Sequence, residues 1–130
     1  MVCDAAAMDD TRALIERYNA AWNAHDLDAI DALHHPDVVF ENHTAGERAN
    51  GAAAVREHIA GILARYPDLA FTGRSLHAAP DFAVSEWTAR TTLPDGRRVE
   101  WDGVDVFPLR DGLILRKDVY STSATPRPLD

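Results

Sequence analysis

At 130 residues the chain has room for one domain with a real hydrophobic core and too little for two. Its formal net charge of -8 argues against nucleic acid and anionic membrane surfaces as partners, because both would repel it. We expect no secretory leader, because the first ten residues lack a basic segment followed by an apolar run, and no later stretch approaches the ~20 apolar residues of a membrane span. We therefore expect a cytoplasmic protein that binds an uncharged or organic small molecule.

Periodic apolar residues predict helices in the first half of the chain. Leu14, Tyr18 and Trp22 recur every four residues, which indicates an amphipathic helix with one buried face. A second, short helix is expected after Asp26, a good N-cap, and is expected to stop before Pro36 because proline cannot continue a helix. The next segments predict a brief strand over 38–40, a polar loop over 42–50 and a third helix ending before Pro67.

The second half of the chain changes to a period of two. Alternation over about 69–122, with turn signals at 79–81, 94–96 and 110–112, predicts four strands in an antiparallel meander. Helices followed by consecutive strands indicate an α+β fold. We accordingly expect a flexible N-terminus over 1–8, a single domain over 9–122 and a flexible tail over 123–130.

Two carboxylates lie on neighbouring predicted strands near the end of the domain. The alternation puts Trp101, Asp105 and Phe107 on one face of the first strand, and Asp118 and Tyr120 on one face of the next. A carboxylate between bulky apolar residues is costly to desolvate, so these two acids are expected to face a ligand pocket and not a dry core.

Several segments resemble the nuclear transport factor 2-like superfamily. The resemblance is carried by residues 17–30 (Arg-Tyr-Asn-Ala-Ala-Trp-Asn-Ala-His-Asp-Leu-Asp-Ala-Ile), 51–59, and Gly-Val-Asp-Val-Phe at 103–107 followed by Lys-Asp at 117–118. The chain is most similar to the SnoaL-like polyketide cyclases, and similar also to ketosteroid isomerases and limonene epoxide hydrolases. The resemblance implies a cone, in which a strongly curved mixed or antiparallel sheet wraps around the N-terminal helices and encloses a deep, mostly apolar cavity.

Comparison with the ketosteroid isomerases implies an oxyanion hole. A helix-one tyrosine and an acid on the Gly-x-Asp-x-Phe strand form it in that family, and these fall on Tyr18 and Asp105. The family's general base falls on Asn42, and an amide cannot accept a proton at neutral pH. The isomerase mechanism is therefore not transferred whole.

The epoxide hydrolases match the chain less well. Asn42 and Asp118 correspond to two of their water-activating residues, but Phe40 replaces the tyrosine, and Glu86 and Thr88 replace the arginine and the second aspartate. Without the arginine, the charge-assisted hydrogen bonds that hold the two acids together are lost. Epoxide hydrolysis therefore ranks below the other activities.

In the SnoaL-like cyclases an aspartate corresponding to Asp118 is the acid/base of an intramolecular aldol closure, and His43 could assist it from the loop. Burial beside Trp101 and Tyr120 would raise the pKa of Asp118 towards neutrality. We therefore predict as catalytic residues Asp118, Asp105, Tyr18 and Asn42, and as substrate-binding residues Trp22, Phe40, His43, Glu86, Trp101 and Tyr120. Neither a cofactor nor a metal ion is required by this chemistry, and the histidine spacing matches no metal motif.

Structural interpretations of the same residues remain open. Asp105 could hydrogen-bond backbone, Asp118 could pair with Arg116 or Lys117 on a solvated rim, and Asn42 could cap its loop in an Asx-turn. Three functions are thus compatible with the sequence: a cyclase or isomerase acting on an apolar carbonyl compound, a non-catalytic binder of an apolar small molecule, and a water-activating hydrolase.

The opposite face of the predicted sheet also carries apolar residues. Members of this superfamily commonly pair through the outer sheet face, and an exposed apolar face needs a cover. We therefore expect a homodimer, formed through the face opposite the two acids, which carries Val104, Val106, Leu115 and Val119.

Overall fold

The computed structural model of the protein describes residues 5–129. Its helices are α1 (Ala5–Asn23), α2 (Leu27–Asp31) and α3 (Ala52–Arg65). Its strands are β1 (His34–Asn42), β2 (Glu47–Asn50), β3 (Ala70–Ala79), β4 (Phe82–Thr92), β5 (Arg98–Arg110), β6 (Leu113–Ser121) and β7 (Arg127–Pro128). The order of elements confirms the predicted α+β class.

The strands form one mixed sheet in the order β2-β1-β6-β5-β4-β3, with β7 added on β5. β1 runs parallel to β6, and the other pairs are antiparallel. The predicted four-strand meander is β3 to β6. Irregular pairing interrupts the β1–β6, β3–β4 and β5–β6 ladders, and such bulges bend strands, which gives the sheet its curvature.

Helix α1 lies on the concave side of the sheet and packs mainly against β3. Its apolar stripe is buried as predicted. Ile15 and Tyr18 are fully buried, and Trp22 is only 5% exposed. Phe107 of β5 is also fully buried and meets the Tyr18 ring edge-on at 5.5 Å between ring centroids. Complete burial of side chains of this size stabilises a fold by about 1.5–3 kcal/mol each, so this contact anchors helix to sheet.

The second helix is shorter than the sequence predicts. Asp26 caps it, and its carboxylate accepts the backbone N–H of Ala29 at 3.1 Å. The helix ends at Asp31, and Pro36 lies within β1, in the irregular stretch between His34 and Val39. Proline lacks an N–H, so it is tolerated where the strand makes no regular ladder bond.

Two short strands occupy segments that were expected to be loop or tail. β2 pairs with β1 inside the predicted 42–50 loop, and β7 pairs with β5 inside the predicted 123–130 tail. Arg127 of β7 reaches the carboxylates of Glu100 and Asp102, so ion pairs accompany this pairing. At the other end, α1 begins at Ala5, within the segment expected to be flexible; residues 1–4 lie outside the described part.

No helix within residues 5–129 has both the length and the apolar character needed to cross a membrane. The convex face of the sheet carries the half-buried Val104 and Val106, as expected. Val119 does not join them, because it pairs with the inward-facing Asp105 and is itself buried.

Candidate functional site

Two adjoining cavities lie between the concave face of the sheet and the helices. The large cavity has a volume of about 550 Å³ and the small cavity about 270 Å³. Both are walled by Trp22, Phe71 and Trp87, and the large one also by Phe40 and Trp101. A space of this size with aromatic walls suits a flat apolar molecule.

A buried acid and a buried amine lie where the two cavities meet. Asp105 of β5 and Lys117 of β6 line both cavities, and Lys117 Nζ donates to Asp105 Oδ2 at 2.9 Å. Their side chains are 4% and 9% exposed. We call them the inner pair.

Aromatic rings surround the amine of the inner pair. Lys117 Nζ lies 4.9–5.7 Å from the centroids of four rings, those of Tyr18, Trp22, Phe40 and Phe107. The negative faces of such rings attract a cation and replace part of its lost hydration. The rings therefore help to hold Lys117 in an otherwise apolar floor.

Only one oxygen of the Asp105 carboxyl group has a hydrogen-bond partner. Oδ1 is buried without a hydrogen-bond partner, while Oδ2 accepts from Lys117. Burial raises the pKa of Asp105, although Lys117 and the nearby indole N–H of Trp87 oppose the shift. A carboxyl with a raised pKa and a free oxygen in a cavity can exchange a proton with a bound ligand.

Gly103 makes room for Trp87 beside this carboxyl. A Cβ at Gly103 would overlap the Trp87 ring at Cη2, closer than real Cβ atoms approach other atoms. Gly103 pairs with Trp87 across the β4–β5 ladder, so the indole lies over the glycine backbone. The glycine of the Gly-x-Asp-x-Phe segment thus positions an aromatic wall of the cavity.

Tyr18 does not line either cavity. Its hydroxyl and His34 Nε2 are 2.9 Å apart and share a hydrogen bond, and both side chains are buried. Burial raises the pKa of Tyr18 and, acting against the charged imidazolium, lowers the pKa of His34 to about 4. The structure therefore gives Tyr18 a core position beside a neutral histidine, in place of the expected position in an oxyanion hole.

Four other predicted residues do line the large cavity: Trp22, Phe40, Trp101 and Asn42. The first three are walls, as expected. The Oδ1 atom of Asn42 accepts the backbone N–H groups of Thr44 and Ala45 at 3.1 and 3.0 Å. This is the Asx-turn that the sequence left open, so the asparagine orders its loop while bordering the cavity.

Asp118 points away from the cavities, contrary to expectation. Next to the turn, β5 and β6 pair Leu109 with Ile114, but further on Val106 pairs with Asp118, because β6 has one extra residue between these pairs. A shift of one residue moves every later side chain to the other face. The bulge turns Asp118 outward and Lys117 inward.

On the convex face Asp118 belongs to a charged group that we call the outer cluster: Glu41, His43, Arg116 and Asp118. Arg116 donates to Asp118 at 2.8 Å and to Glu41 at 3.2 Å, and His43 Nε2 lies 2.9 Å from Asp118. Partial burial would raise the pKa of Asp118, but hydrogen bonds from Arg116 and His43 outweigh it and lower the pKa. The expectation of a raised pKa is wrong.

The remaining predicted substrate-binding residues also face outward. The ring of Tyr120 stacks on His43 with centroids 4.4 Å apart, and Tyr120 is 47% exposed. Glu86 is exposed and accepts the hydroxyl of Ser75 at 2.6 Å. Their positions follow from the same register, since Val104 pairs with both Tyr120 and Glu86. These residues border no described cavity.

Three members of the outer cluster, Glu41, His43 and Asp118, bring possible metal ligands within 4.8 Å of one another. Arg116 already bridges the two carboxylates of this set. A divalent cation would have to displace that guanidinium, so the geometry favours an ion-pair network over a metal site.

The sequence interpretation missed Lys117, Trp87 and Phe71, which line both cavities. A signal for Lys117 was present, since it is the single lysine among 130 residues. Water activation of the epoxide-hydrolase kind would need Asn42 and Asp118 together, and the sheet separates them. The chemistry that the cavity does offer is proton transfer by the inner pair.

The chain is similar in sequence to part of a longer bacterial protein. The chain is 30% identical over 107 residues to the ECF RNA polymerase sigma factor SigJ of Mycobacterium tuberculosis, covering 78% of this chain and 34% of that protein. The chain thus spans about a third of the curated relative's length.

Solved structures share the fold. The polyether enzyme SalBIII, described as epoxide hydrolase/cyclase-like and as acting in pyran ring formation, has a TM-score of 0.81 at 21% identity, covering 92% of this chain and 96% of its own. TerC, co-crystallised with polyporic acid, has a TM-score of 0.79 at 21% identity, with coverages of 88% and 93%. Other neighbours are described as NTF2-like and cystatin-fold proteins.

The family model that matches is the SnoaL-like domain, over residues 15–117. That span begins within α1, which carries the cavity-lining Trp22, and reaches the amine of the inner pair on β6. The chain therefore belongs to the SnoaL-like domain family, within the NTF2-like fold.

Proposed function

We propose that the protein is a cofactor-independent acid/base enzyme, of isomerase or cyclase type, that acts on an apolar carbonyl compound in the large cavity. The single observation that carries this proposal is the free Oδ1 of Asp105. This oxygen is buried and unpartnered, and it belongs to a carboxyl that lines both cavities and has a raised pKa. Unpaired buried polar atoms are rare in folded proteins, and a ligand proton is a natural partner for this one.

In this mechanism Asp105 removes a proton α to the substrate carbonyl and later returns it at another position. A raised pKa makes the carboxylate a stronger base. The ammonium of Lys117 and the unpartnered indole N–H of Trp87 are available to stabilise the enolate that develops. The aromatic walls hold a flat substrate and exclude water, which strengthens these interactions.

The structural neighbours support the substrate class. SalBIII is described as acting in pyran ring formation, and TerC was crystallised with polyporic acid. Both descriptions concern organic small molecules, which agrees with the size and the aromatic lining of the large cavity. We carry over only this class and neither protein's reaction.

A non-catalytic binding role is the second candidate. The observation in its favour is that Lys117 and Asp105 neutralise each other, as a structural ion pair would. In that case the aromatic walls would bind an apolar ligand and the inner pair would only fix the cavity floor.

The test uses a bicyclic β,γ-unsaturated ketone, whose isomerisation gives a conjugated enone that absorbs in the ultraviolet. We expect Asp105→Asn to lower the rate by about 10²–10⁴-fold and to remove the limb of the pH-rate profile that the base produces. Binding of the ketone, followed by quenching of tryptophan fluorescence, should persist in this variant.

The matched control is Asp118→Asn, which changes the outer cluster and should keep full activity. If Asp118→Asn loses activity and Asp105→Asn keeps it, the general base is Asp118 and our assignment is overturned. If the unmodified protein and Asp105→Asn bind the ketone with equal affinity and neither converts it, the binding role is favoured.

We also propose a homodimer that pairs through the convex face. Val84 pairs with Val106, and Val104 with Tyr120, so these half-buried or exposed apolar residues form a continuous outward patch. We expect sedimentation to give twice the mass of one chain. Val106→Lys should give monomers, whereas the control Glu16→Lys, at an exposed position of α1, should leave the dimer unchanged. A monomer at all concentrations would exclude this assembly.

A further inference from the structure

Lys117 differs from every other basic side chain of the protein. The chain contains 13 lysines and arginines together, and Lys117 is the one lysine among them. Arginine stays protonated and serves ion pairs well, whereas a lysine amine can lose its proton and attack carbon. The one basic side chain able to form a carbon–nitrogen bond is thus buried in the floor of the candidate site.

The surroundings of Lys117 favour such chemistry. Its side chain is 9% exposed and lines both cavities, so a cavity-bound molecule can approach Nζ while bulk water is largely excluded. Asp105 Oδ2 lies 2.9 Å from Nζ and can accept one of its protons. The free Oδ1 of the same carboxyl can exchange a proton with a ligand oxygen.

We propose that Lys117 forms an imine with an aldehyde or ketone bound in the large cavity. This inference rests on the proposed function, because it uses the same cavity and the same carbonyl substrate class. It assigns Lys117 a covalent role in place of a purely electrostatic one.

The step balances without an oxidant or reductant. Asp105 takes a proton from the Lys117 ammonium, and the neutral amine adds its electron pair to the carbonyl carbon. One proton then moves from this nitrogen to the carbonyl oxygen, which gives a neutral carbinolamine. Asp105 returns the proton to the hydroxyl of this intermediate, which leaves as water as the C=N bond forms. Lys117 ammonium plus carbonyl compound therefore give protonated imine plus one water molecule, with Asp105 restored as a carboxylate.

Imine formation would strengthen the acid/base chemistry of the site. A protonated imine withdraws electrons from the neighbouring carbon more strongly than a neutral carbonyl does, so its α proton is removed more easily. Asp105 stands next to the nitrogen and is in a position to receive that proton.

The test traps the imine chemically. The full-length protein is incubated with 2-naphthaldehyde, a flat apolar aldehyde, together with sodium cyanoborohydride, and the adduct is located by intact-mass and peptide mass spectrometry. We expect one naphthylmethyl group on Lys117. The α-amino group of the chain serves as an internal reference, because its slower labelling reports on simple amine reactivity.

Two variants separate a reactive amine from an exposed one. Lys117→Arg keeps the positive charge but has no amine in the cavity, so the variant should form no adduct at position 117. Circular dichroism checks that it folds. Adding Arg97→Lys to that variant supplies an amine on a side chain that is 69% exposed in the parent. We expect this surface amine to need at least roughly tenfold more aldehyde than Lys117 for equal labelling, because only Lys117 has a cavity and an acid beside it.

Asp105→Asn tests the proton relay, and we expect it to slow the labelling of Lys117 by roughly tenfold or more. Unchanged labelling would overturn the part assigned to Asp105. Tryptophan quenching by the aldehyde without any adduct on Lys117 would overturn the imine and leave the proposed function standing. Absence of both quenching and adduct would count against the imine and the carbonyl-binding cavity together.

Discussion

The two faces of the sheet hold nearly the same chemical groups in opposite environments. On the concave face Asp105 is paired with Lys117, and on the convex face Asp118 is paired with Arg116. Both acids lie on central, neighbouring strands, and the two basic residues are consecutive in the sequence. The inner pair adjoins two cavities, whereas the outer cluster adjoins none of those described.

The two environments shift the pKa values of Asp105 and Asp118 in opposite directions. Burial dominates at Asp105 and raises its pKa despite Lys117. Partial burial is outweighed at Asp118 by hydrogen bonds from Arg116 and His43, which lower its pKa. A cationic partner therefore does not decide whether a carboxylate suits proton transfer; the balance of desolvation and hydrogen bonding does.

The largest effect is expected from removing one member of the inner pair. Lys117→Met leaves the Asp105 carboxylate buried without a counter-charge, which should reduce the free energy of unfolding by about 3–5 kcal/mol at pH 7. The loss should shrink as the pH falls, because protonation of Asp105 removes the unpaired charge. Urea unfolding at pH 7 and pH 5 measures both effects.

A double variant tests the cause of that loss. Asp105→Leu combined with Lys117→Met removes both charges, and we expect it to regain most of the stability at pH 7. If the double variant is as unstable as Lys117→Met alone, the loss comes from side-chain packing and not from the charge interaction within the inner pair.

The next effect concerns a second buried polar group on the concave side. The pKa of His34 falls from 6.5 to about 4 on folding, since burial disfavours its charged form. The contribution of His34 to the free energy of unfolding is complete above pH 6.5 and declines towards pH 4. Over this interval the unfolded state binds a proton at His34 and the folded state does not. The shift corresponds to roughly 3 kcal/mol.

Urea titrations of the unmodified protein and of His34→Gln between pH 7 and pH 4 provide the measurement. The variant lacks the titrating group, so its stability should fall less steeply over this interval. Parallel curves would mean that His34 titrates normally and that the concave side is better hydrated than the structure indicates.

A smaller loss is expected where the cavity wall passes over Gly103. Gly103→Ala forces a Cβ against the Trp87 ring, and overpacking of this kind costs about 1–3 kcal/mol. Since Trp87 also lies beside Asp105, ligand-induced quenching should weaken as well. Gly73→Ala is the matched control, because a Cβ at Gly73 meets nothing within 4 Å. Equal effects of the two substitutions would argue against a special role for Gly103.

The elements that depend on local pattern could be predicted from the sequence. The four-residue repeat through Tyr18 and Trp22 predicted α1 and its buried face. Asp111 and Gly112, with positive φ values of 54° and 73°, connect β5 to β6 within the turn that the sequence indicated at 110–112. Asp105 was correctly assigned to the inward face because β5 pairs with β4 without a register shift, so side chains alternate regularly from Trp101 to Asp105.

The direction of Asp118 could not be predicted because it depends on how two strands are aligned. Continued from the turn, the pairing of Leu109 with Ile114 would bring Asp118 directly opposite Asp105, as the sequence analysis assumed. The bulge adds one residue to β6 and brings Val119 opposite Asp105 instead. Neither strand shows this extra residue in its own alternation, so Lys117 was missed for the same reason.

The short strands β2 and β7 escaped prediction for a different reason. The segments that contain them are mostly polar, and strand prediction relies on apolar alternation. Arg127 shows what holds β7: its guanidinium contacts Glu100 and Asp102 across the ladder. Such pairing is set by residues distant in the sequence, which local pattern does not contain.

The smallest effect is expected on the convex face, and it completes the comparison. Asp118→Asn removes one carboxylate from the outer cluster, where neighbouring charges and solvent compensate, so the free energy of unfolding should change by less than about 1 kcal/mol. Because folding lowers the pKa of Asp118, its contribution is present above the ordinary value of 3.8 and is lost as the pH falls through the lowered pKa. The difference between protein and variant in urea should therefore vanish in acid. A loss as large as that of Lys117→Met would mean that the outer cluster is as strongly desolvated as the inner pair, and the contrast between the two faces would fail.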